Sequence, residues 1–316
     1  MTVIDAIIQG AVQGLTEFLP VSSSGHLAIT QHILGVSGEG NLFFNVMLHV
    51  GTLVAVVAFY HKLIWSLILE FGRTVRDIFT GKFKWSEMNY ERNLLFMLVI
   101  GLLPLFLLFL PVPGTGMKLK DVAESLSSQP TVIITSVCLL ITSTLLLLGI
   151  IFNKRNCARS FKHLKGNSAE SGGRERFGVV DAVCVGLMQC VAVLPGISRS
   201  GSTLAVGEMR GINKQKALDY TFVLGIPSIV AAAALEGLDA VKAPEGLNID
   251  ILPLVVGVAV SAVVGYLAIL LFKWFLKTDK MIIFVIYTAV VGLGMLGVSV
   301  AELVMGVNLF TGQPLF

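Results

Sequence analysis

Pro195-Gly196-Ile197-Ser198-Arg199-Ser200-Gly201-Ser202-Thr203 puts an arginine and several hydroxyls, bracketed by glycines, inside a run otherwise as apolar as lipid. An arginine at membrane depth is expensive and marks a functional site by default. A second stretch, Pro20-Val21-Ser22-Ser23-Ser24-Gly25-His26, has the same character. Each interrupts a hydrophobic region, 179–211 and 3–35 respectively, that would otherwise read as one span. Such a break is tolerated in lipid only when it is buried in protein or lines a cavity. Both regions are therefore expected to be re-entrant hairpins of two short helices.

The rest of the chain agrees with a membrane setting. Of 316 residues, 55% are hydrophobic and 14% charged, and the mean hydropathy is +0.84. That composition belongs to a polytopic membrane protein rather than a soluble domain. The net charge of +3 is small, and the basic residues sit in short connections rather than a stripe, which argues against nucleic acid as a partner. The first twenty residues carry Asp5 and Glu17 and lack a basic start, so no cleavable signal peptide is expected. Cys138, Cys157, Cys184 and Cys190 form no metal-ligand or disulfide pattern and are expected as small buried hydrophobes, or as a loop thiol for Cys157.

Six stretches are long and apolar enough to cross ~30 Å of hydrocarbon: about 43–69, 92–110, 131–152, 215–236, 250–274 and 281–303. Lysines and arginines crowd the connections 60–92, 153–178 and 273–280, and are sparse in 111–130 and 237–249. By the positive-inside rule the first three are cytoplasmic and both termini lie outside. The two hairpins then insert from opposite faces.

Self-similarity supports this layout. Asp5-Ala6, Gly10, Gln13, Leu19-Pro20 and Ser22-x-Ser24-Gly25 reappear as Asp181-Ala182, Gly186, Gln189, Leu194-Pro195 and Ser198-x-Ser200-Gly201. Leu48 to Thr52 also compares with Phe222 to Ile226. The expected architecture is an all-α polytopic membrane protein with an inverted-topology repeat, six transmembrane helices and two re-entrant hairpins. It forms one integral membrane domain over 1–316. Repeat one covers about 1–152 (hairpin 3–35), repeat two about 179–303 (hairpin 179–211), and a cytoplasmic linker about 153–178.

Asp5, Gln9, Gln13 and Glu17 recur every four residues, on one stripe of an otherwise apolar helix. Asp5 and Gln9 fit an interfacial polar face. Glu17, at the deep end beside Phe18-Leu19-Pro20, needs a partner or a task. Ser22, Ser23 and Ser24 are N-cap residues for the helix that follows. Ser198, Ser200, Gly201 and Ser202 repeat the arrangement. Two helix N-termini facing one point, with Arg199 alongside, make a phosphate cradle. His26, one turn into its helix, is a candidate acid or base. His32 and His61 are expected at the interface and His163 in a loop, while His49 is a minor candidate to line the cavity. Phosphoryl transfer on a lipid and transport of an anionic lipid both fit these residues.

Gln13-x-x-x-Glu17 resembles the (E/Q)xxxE motif, and Pro195 to Thr203 the PGxSRSxxT motif, of the undecaprenyl-pyrophosphate phosphatases linked to bacitracin resistance. Gly14 to His26 is similar to the same family's N-terminal block. The resemblance implies hydrolysis of a polyprenyl diphosphate to the monophosphate and inorganic phosphate, recycling the lipid carrier of cell-wall synthesis at the inner membrane. It implies Glu17, Ser23, His26 and Arg199 as catalytic, with Gln13, Ser22, Ser198 and Thr203 binding or orienting phosphate. Ser24, Gly25, Ser200 and Gly201 join them as parts of the two helix N-termini. The nucleophile is left open between Ser23, His26 and water. No metal-ligating residues are expected, and Mg²⁺ or Ca²⁺ would enter by bridging the diphosphate. The site is expected to open outward. A flippase for the polyprenyl phosphate carrier is the alternative, and a homodimer is admitted as an assembly.

Overall fold

The computed structural model describes residues 2–35, 40–114, 116–127, 131–163, 173–242 and 250–315. The described residues are helical apart from connections and three isolated bridges. In chain order the helices are α1 (Val3–Phe18), α2 (Ser23–Leu34), α3 (Gly40–Phe59), α4 (His61–Phe79), α5 (Tyr90–Leu102), α6 (Leu119–Ser127), α7 (Ile133–His163), α8 (Val179–Val191), α9 (Arg199–Met209), α10 (Lys214–Lys242), α11 (Ile251–Lys277) and α12 (Ile282–Met305).

Both expected hairpins are present, as α1–α2 and α8–α9. Their helices of 16, 12, 13 and 11 residues are roughly 24, 18, 20 and 17 Å long, too short to cross ~30 Å. The two first helices start alike. The Asp5 carboxylate accepts from Thr2 N–H at 2.9 Å, and that of Asp181 from Gly178 N–H at 2.9 Å, so each satisfies an otherwise unpaired helix-start donor. Asp5 is thereby a cap rather than part of a polar stripe with Glu17.

Five helical segments among the described residues are long and apolar enough to span, and α3 with α4 is a sixth candidate bent by 80°. The first expected span, 43–69, therefore needs correction: α3 ends at Phe59, and α4 turns away. A straight continuation would carry the apolar residues beyond Phe59 out into water, since the 20 residues of α3 already span about 30 Å. Instead α4 buries Leu67, Glu70 and Thr74 and exposes Trp65, Ile68, Phe71 and Phe79, the two-faced pattern of a helix lying along a membrane surface. Arg92 fastens it to α5, meeting Glu70 at 2.7 Å and Asp77 at 2.8 Å. The second span keeps its extent, but Pro104 converts its last part to a 3₁₀ turn over Leu103–Phe109. Helix α7 runs to His163, so the first part of the expected linker is helix. Residues 164–172 lie outside the described residues, as do the side chains of Cys157 and His163.

Contact registers give the directions. Gly10 lies against Gly257 and Gly14 against Ser261 and Gly265, while Gly51 meets Val258 and Gly257 meets Leu48. Helices α1, α3 and α11 are thus parallel. On α7, Cys138 faces Gly196 and Gly149 faces Ala205, so α9 runs parallel to α7. Helix α12 turns back from α11 and passes α7 antiparallel, with Gly292 at Leu140 and Ser143 bonded to the Val285 carbonyl. It follows that α1 approaches its tip in the direction in which α9 leaves its own. The hairpins insert from opposite ends of the bundle.

Small residues let α1 and α11 approach closely, as expected where apolar driving force between helices is absent. A methyl group at Gly14 would lie 2.6 Å from the Ser261 carbonyl oxygen, and neither backbone can yield. Gly14→Ala should lower stability by ~1–3 kcal/mol, read as a depressed thermal midpoint in detergent. An unchanged midpoint would count against this packing.

Candidate active site

The hairpin tips meet at the centre of the bundle. Each ends on a serine cap: Ser22 Oγ accepts from Gly25 N–H at 3.2 Å, and Ser198 Oγ from Gly201 N–H at 3.1 Å. The tips also interlock reciprocally. A methyl group on Gly25 would stand 3.0 Å from Gly196 Cα, and one on Gly201 3.0 Å from Pro20 Cβ. Ser200 Oγ donates to the Leu19 carbonyl at 3.3 Å. Thr142 of α7 pins the second tip, donating to the Gly196 carbonyl at 2.9 Å and accepting from Ser198 N–H at 3.0 Å.

Glu17, 6% exposed, is the hub. Its Oε1 takes a 2.6 Å bond from Arg199, at the first turn of α9. Its Oε2 takes a 2.6 Å bond from Ser23 Oγ, at the first turn of α2, and a 3.0 Å bond from Gln13 Nε2, one turn back on α1. His49 of α3 brings Nε2 to 3.7 Å from the same oxygen. Four elements converge on one carboxylate. Arg199 fits because Gly225 of α10 leaves room, as a methyl group there would overlap the guanidinium.

His26 stands apart from this cluster. Its Nδ1 lies 2.8 Å from the Ser22 carbonyl, which can only accept, so Nδ1 carries a proton. Its Nε2 lies 2.8 Å from the Tyr287 hydroxyl of α12, with the rings stacked at 5.5 Å. In the neutral ring Nε2 is therefore an acceptor and Tyr287 the donor. Ser23 is hydrogen-bonded to Glu17, not to His26. Ser22 itself sits at φ +75° and ψ +100°, a strained conformation for a residue with a side chain, costing ~1–3 kcal/mol and typical of functional turns.

The other expected residues divide by exposure. Ser24 is exposed on α2, 3.4 Å from Ser22 Oγ. Gly25 is buried behind it. Ser198, Ser200, Gly201 and Thr203 are all buried. Thr203 donates to the Arg199 carbonyl at 2.7 Å and bonds Thr221 at 3.2 Å. These hydroxyls are engaged in holding Arg199 and the tips. Gln13 differs: its Nε2 bonds Glu17 while its Oε1 is buried and has no partner, so it is an unused acceptor one bond from the hub. His32, expected at the interface, instead pairs with fully buried Glu302 at 2.8 Å, which fastens the end of α2 to α12.

Nothing in the sequence pattern points to Tyr287 or Thr142, each an ordinary member of an apolar span. Gly225 has a weak signal, since it aligns with Gly51 in the repeat. Among the described residues, no group of three or more His, Cys, Asp or Glu side chains is placed to hold a metal ion. Glu17 is already committed to Arg199, Ser23 and Gln13. This donor set does not fit a resident Mg²⁺ or Ca²⁺.

Comparison with known proteins agrees over nearly the whole chain. Residues 6–294 match the family described as bacitracin resistance protein BacA. Undecaprenyl-diphosphatase of Alkaliphilus metalliredigens is 37% identical over 292 residues, covering 92% of this chain and 97% of its own. That of Bacteroides fragilis is 36% identical over 300 residues, with 93% and 97% covered. That of Methanosphaera stadtmanae is 33% identical, with 93% and 96% covered.

Removing one partner of a buried ion pair strands the other charge. Arg199→Ala should lower stability by ~3–5 kcal/mol, whereas adding Glu17→Gln should restore much of that loss. Unfolding in mixed detergent micelles measures both. Simply additive effects would show that the two side chains do not form a coupled pair.

Proposed function

The chain belongs to the BacA family of bacitracin resistance proteins, and on that premise we propose that this site hydrolyses undecaprenyl diphosphate. The products are undecaprenyl monophosphate and inorganic phosphate. The observation that carries the reading is the short bond from Ser23 to buried Glu17, made beside a half-buried arginine at two helix N-termini. A nucleophile, its base and a phosphate ligand are thereby within one hydrogen-bonded group. Hydrolysis, rather than transport of the lipid, is what the relatives' names support.

The diphosphate enters with its terminal phosphoryl group against Arg199 and the N–H groups that begin α2 and α9. Arg199 drawn onto phosphate leaves Glu17 a better acceptor for the Ser23 proton. Ser23 Oγ then attacks the terminal phosphorus as its proton passes to Glu17. The phosphoanhydride bond breaks, and the lipid monophosphate leaves with the bonding electrons. In the second half, water attacks phosphoserine and gives its proton to His26 Nε2. Glu17 returns a proton to the departing Ser23 Oγ. The unpartnered Gln13 Oε1 supports a role for this side chain in orienting that water. Tyr287 keeps Nε2 an acceptor until then. Any Mg²⁺ or Ca²⁺ would arrive on the diphosphate, and no step above runs through it.

Attack by His26 or by water directly would give different intermediates. Rapid quench with a phosphorus-labelled diphosphate should place label on Ser23, and label on His26 would overturn the serine route. Ser23→Ala should slow phosphate release by at least ~10³-fold. Arg199→Lys should lose ~10²-fold, because a point charge cannot replace the two-pronged guanidinium. Gly225→Ala should cost ~10²-fold without touching substrate, by displacing Arg199 about 1 Å. Near-normal turnover in either variant would count against the cradle.

The loop charges further support an inner-membrane setting with both termini outside and a site open to the outer face. Accessibility labelling of Ser24→Cys in whole cells tests that orientation.

A further inference from the structure

Two neighbouring cavities lie toward the C-terminal end of α3, and neither is lined by a residue of the Glu17 cluster. The first, about 280 Å³, is an apolar groove walled by Val54, Ala58, Val263, Tyr266 and Leu267. Val54, Val263 and Leu267 are more than half exposed, so the groove faces the surrounding lipid. The second, about 320 Å³, begins at the next residue of α3, Phe59, which packs on Tyr266 of the first at 5.7 Å; α4, α5, α10 and α11 supply most of its other walls. Tyr60, also in its wall, follows the last residue of α3 and is about 16 Å along the helix from His49. Phe18, Phe222 and Tyr60 stack between the catalytic cluster and this cavity, with centroids 5.4 and 6.0 Å apart.

Three ammonium groups face one carboxylate in the second cavity. Lys273 is satisfied: it meets Asp219 at 3.2 Å and lies over the Phe59 and Tyr60 rings at 4.8 and 4.7 Å. Asp219 also accepts from Tyr60 at 2.8 Å and Gln215 at 3.1 Å. Lys216, over the Tyr90 ring at 4.2 Å, has no carboxylate partner among the described residues, and neither has Lys62. The height of this cavity is set independently. Lys62 and Leu63 open α4, the helix that lies along the membrane surface, so the cationic cavity stands at headgroup level and the apolar groove below it at acyl-chain level.

We propose that this seam binds an anionic phospholipid, its phosphate between Lys62 and Lys216 and an acyl chain in the α3–α11 groove. The site is at the end of the bundle opposite the insertion of α1 and shares no residue with the catalytic cluster. Lysines that merely reach for the interface would show no preference for a headgroup and would need no groove beneath them. A charged cavity adjoining a lipid-facing groove, the two linked through the Phe59–Tyr266 contact, matches a head and a tail together. The aromatic walls favour ammonium groups at the rim without neutralising them.

Native mass spectrometry of the full-length protein, with equal dioleoyl-phosphatidylglycerol and dioleoyl-phosphatidylcholine, tests this. The phosphatidylglycerol adduct should persist and the phosphatidylcholine adduct should not. Lys62→Ala combined with Lys216→Ala should weaken retention roughly 30-fold, about fivefold for each lysine near a membrane surface. Val263→Trp, which fills the groove from its lipid side, should weaken it with both lysines intact. Phosphate release from a lipid diphosphate in detergent should be unchanged in all three proteins, and serves as the check on folding. Equal retention of both lipids, or undiminished retention in either variant, overturns the proposal. Displacement of phosphatidylglycerol by inorganic phosphate alone would make it a free-anion site. Displacement by a polyprenyl diphosphate, one for one, would make the groove the substrate's own tail channel; both outcomes overturn it.

Discussion

The bond between Arg199 and Glu17, 2.6 Å long and 182 residues apart in sequence, is the constraint on which the structure depends. Neither charge is tolerable alone at this depth, because desolvation costs several kcal/mol for each ion. Bringing them together requires two helices to end at the same point. That in turn requires two hairpins inserted from opposite ends, since a helix N-terminus at mid-depth cannot be made by an unbroken span. The glycine contacts follow from the same need. Gly25 on Gly196 and Gly201 on Pro20 let the tips close, and Gly225 leaves the space that the guanidinium fills.

The same pair ties stability to chemistry. In the free protein Arg199 and Ser23 both bind Glu17, so the three groups that the proposed reaction uses are held together and mutually satisfied. In the proposed reaction, a phosphate that takes Arg199 releases the carboxylate toward Ser23. Burial of the hub makes this exchange steep, because charge interactions in a poorly solvated site are not screened as they are in water. The strained Ser22 turn, which accepts from His26 Nδ1, fixes which nitrogen of that ring can act as a base. Substrate binding and proton transfer thus draw on one small set of bonds.

The two ends of the bundle differ in kind. One receives α1 and releases α2, whose far end is held by the buried His32–Glu302 pair. The other carries α4 along the surface, with its Arg92 clasp and lysine-lined cavity. Aromatic rings between them, Phe18 against Phe222 and Phe222 against Tyr60, separate the catalytic cluster from the basic end. Charge and strain are concentrated at the hairpin tips and at the two ends of the bundle, and the spans between are almost free of both.

Much of this was legible from local pattern. Apolar length marked the spans, and proline, glycine and serine at their centres marked the hairpins. The cost of Glu17 and Arg199 in lipid marked both as parts of a site. These are one-dimensional signals, because bilayer thickness and the price of a buried charge act on any segment alike. The elbow at Tyr60 was not legible, since α3 and the start of α4 form one apolar run and the turn is held by packing, with buried Glu70 and half-buried Asp77 of α4 clasped by Arg92 of α5. Nor were the partners within the site. Spacing placed His26 near Ser23 and Glu17, but the fold gives Ser23 to Glu17 and hands His26 to Tyr287, a residue 261 positions away. The sequence by itself determined that two polar helix ends must be hidden in a membrane bundle. Only the tertiary structure decided which side chains share a proton, because a hydrogen bond depends on ångström distances between helices, and those come from packing rather than from order along the chain.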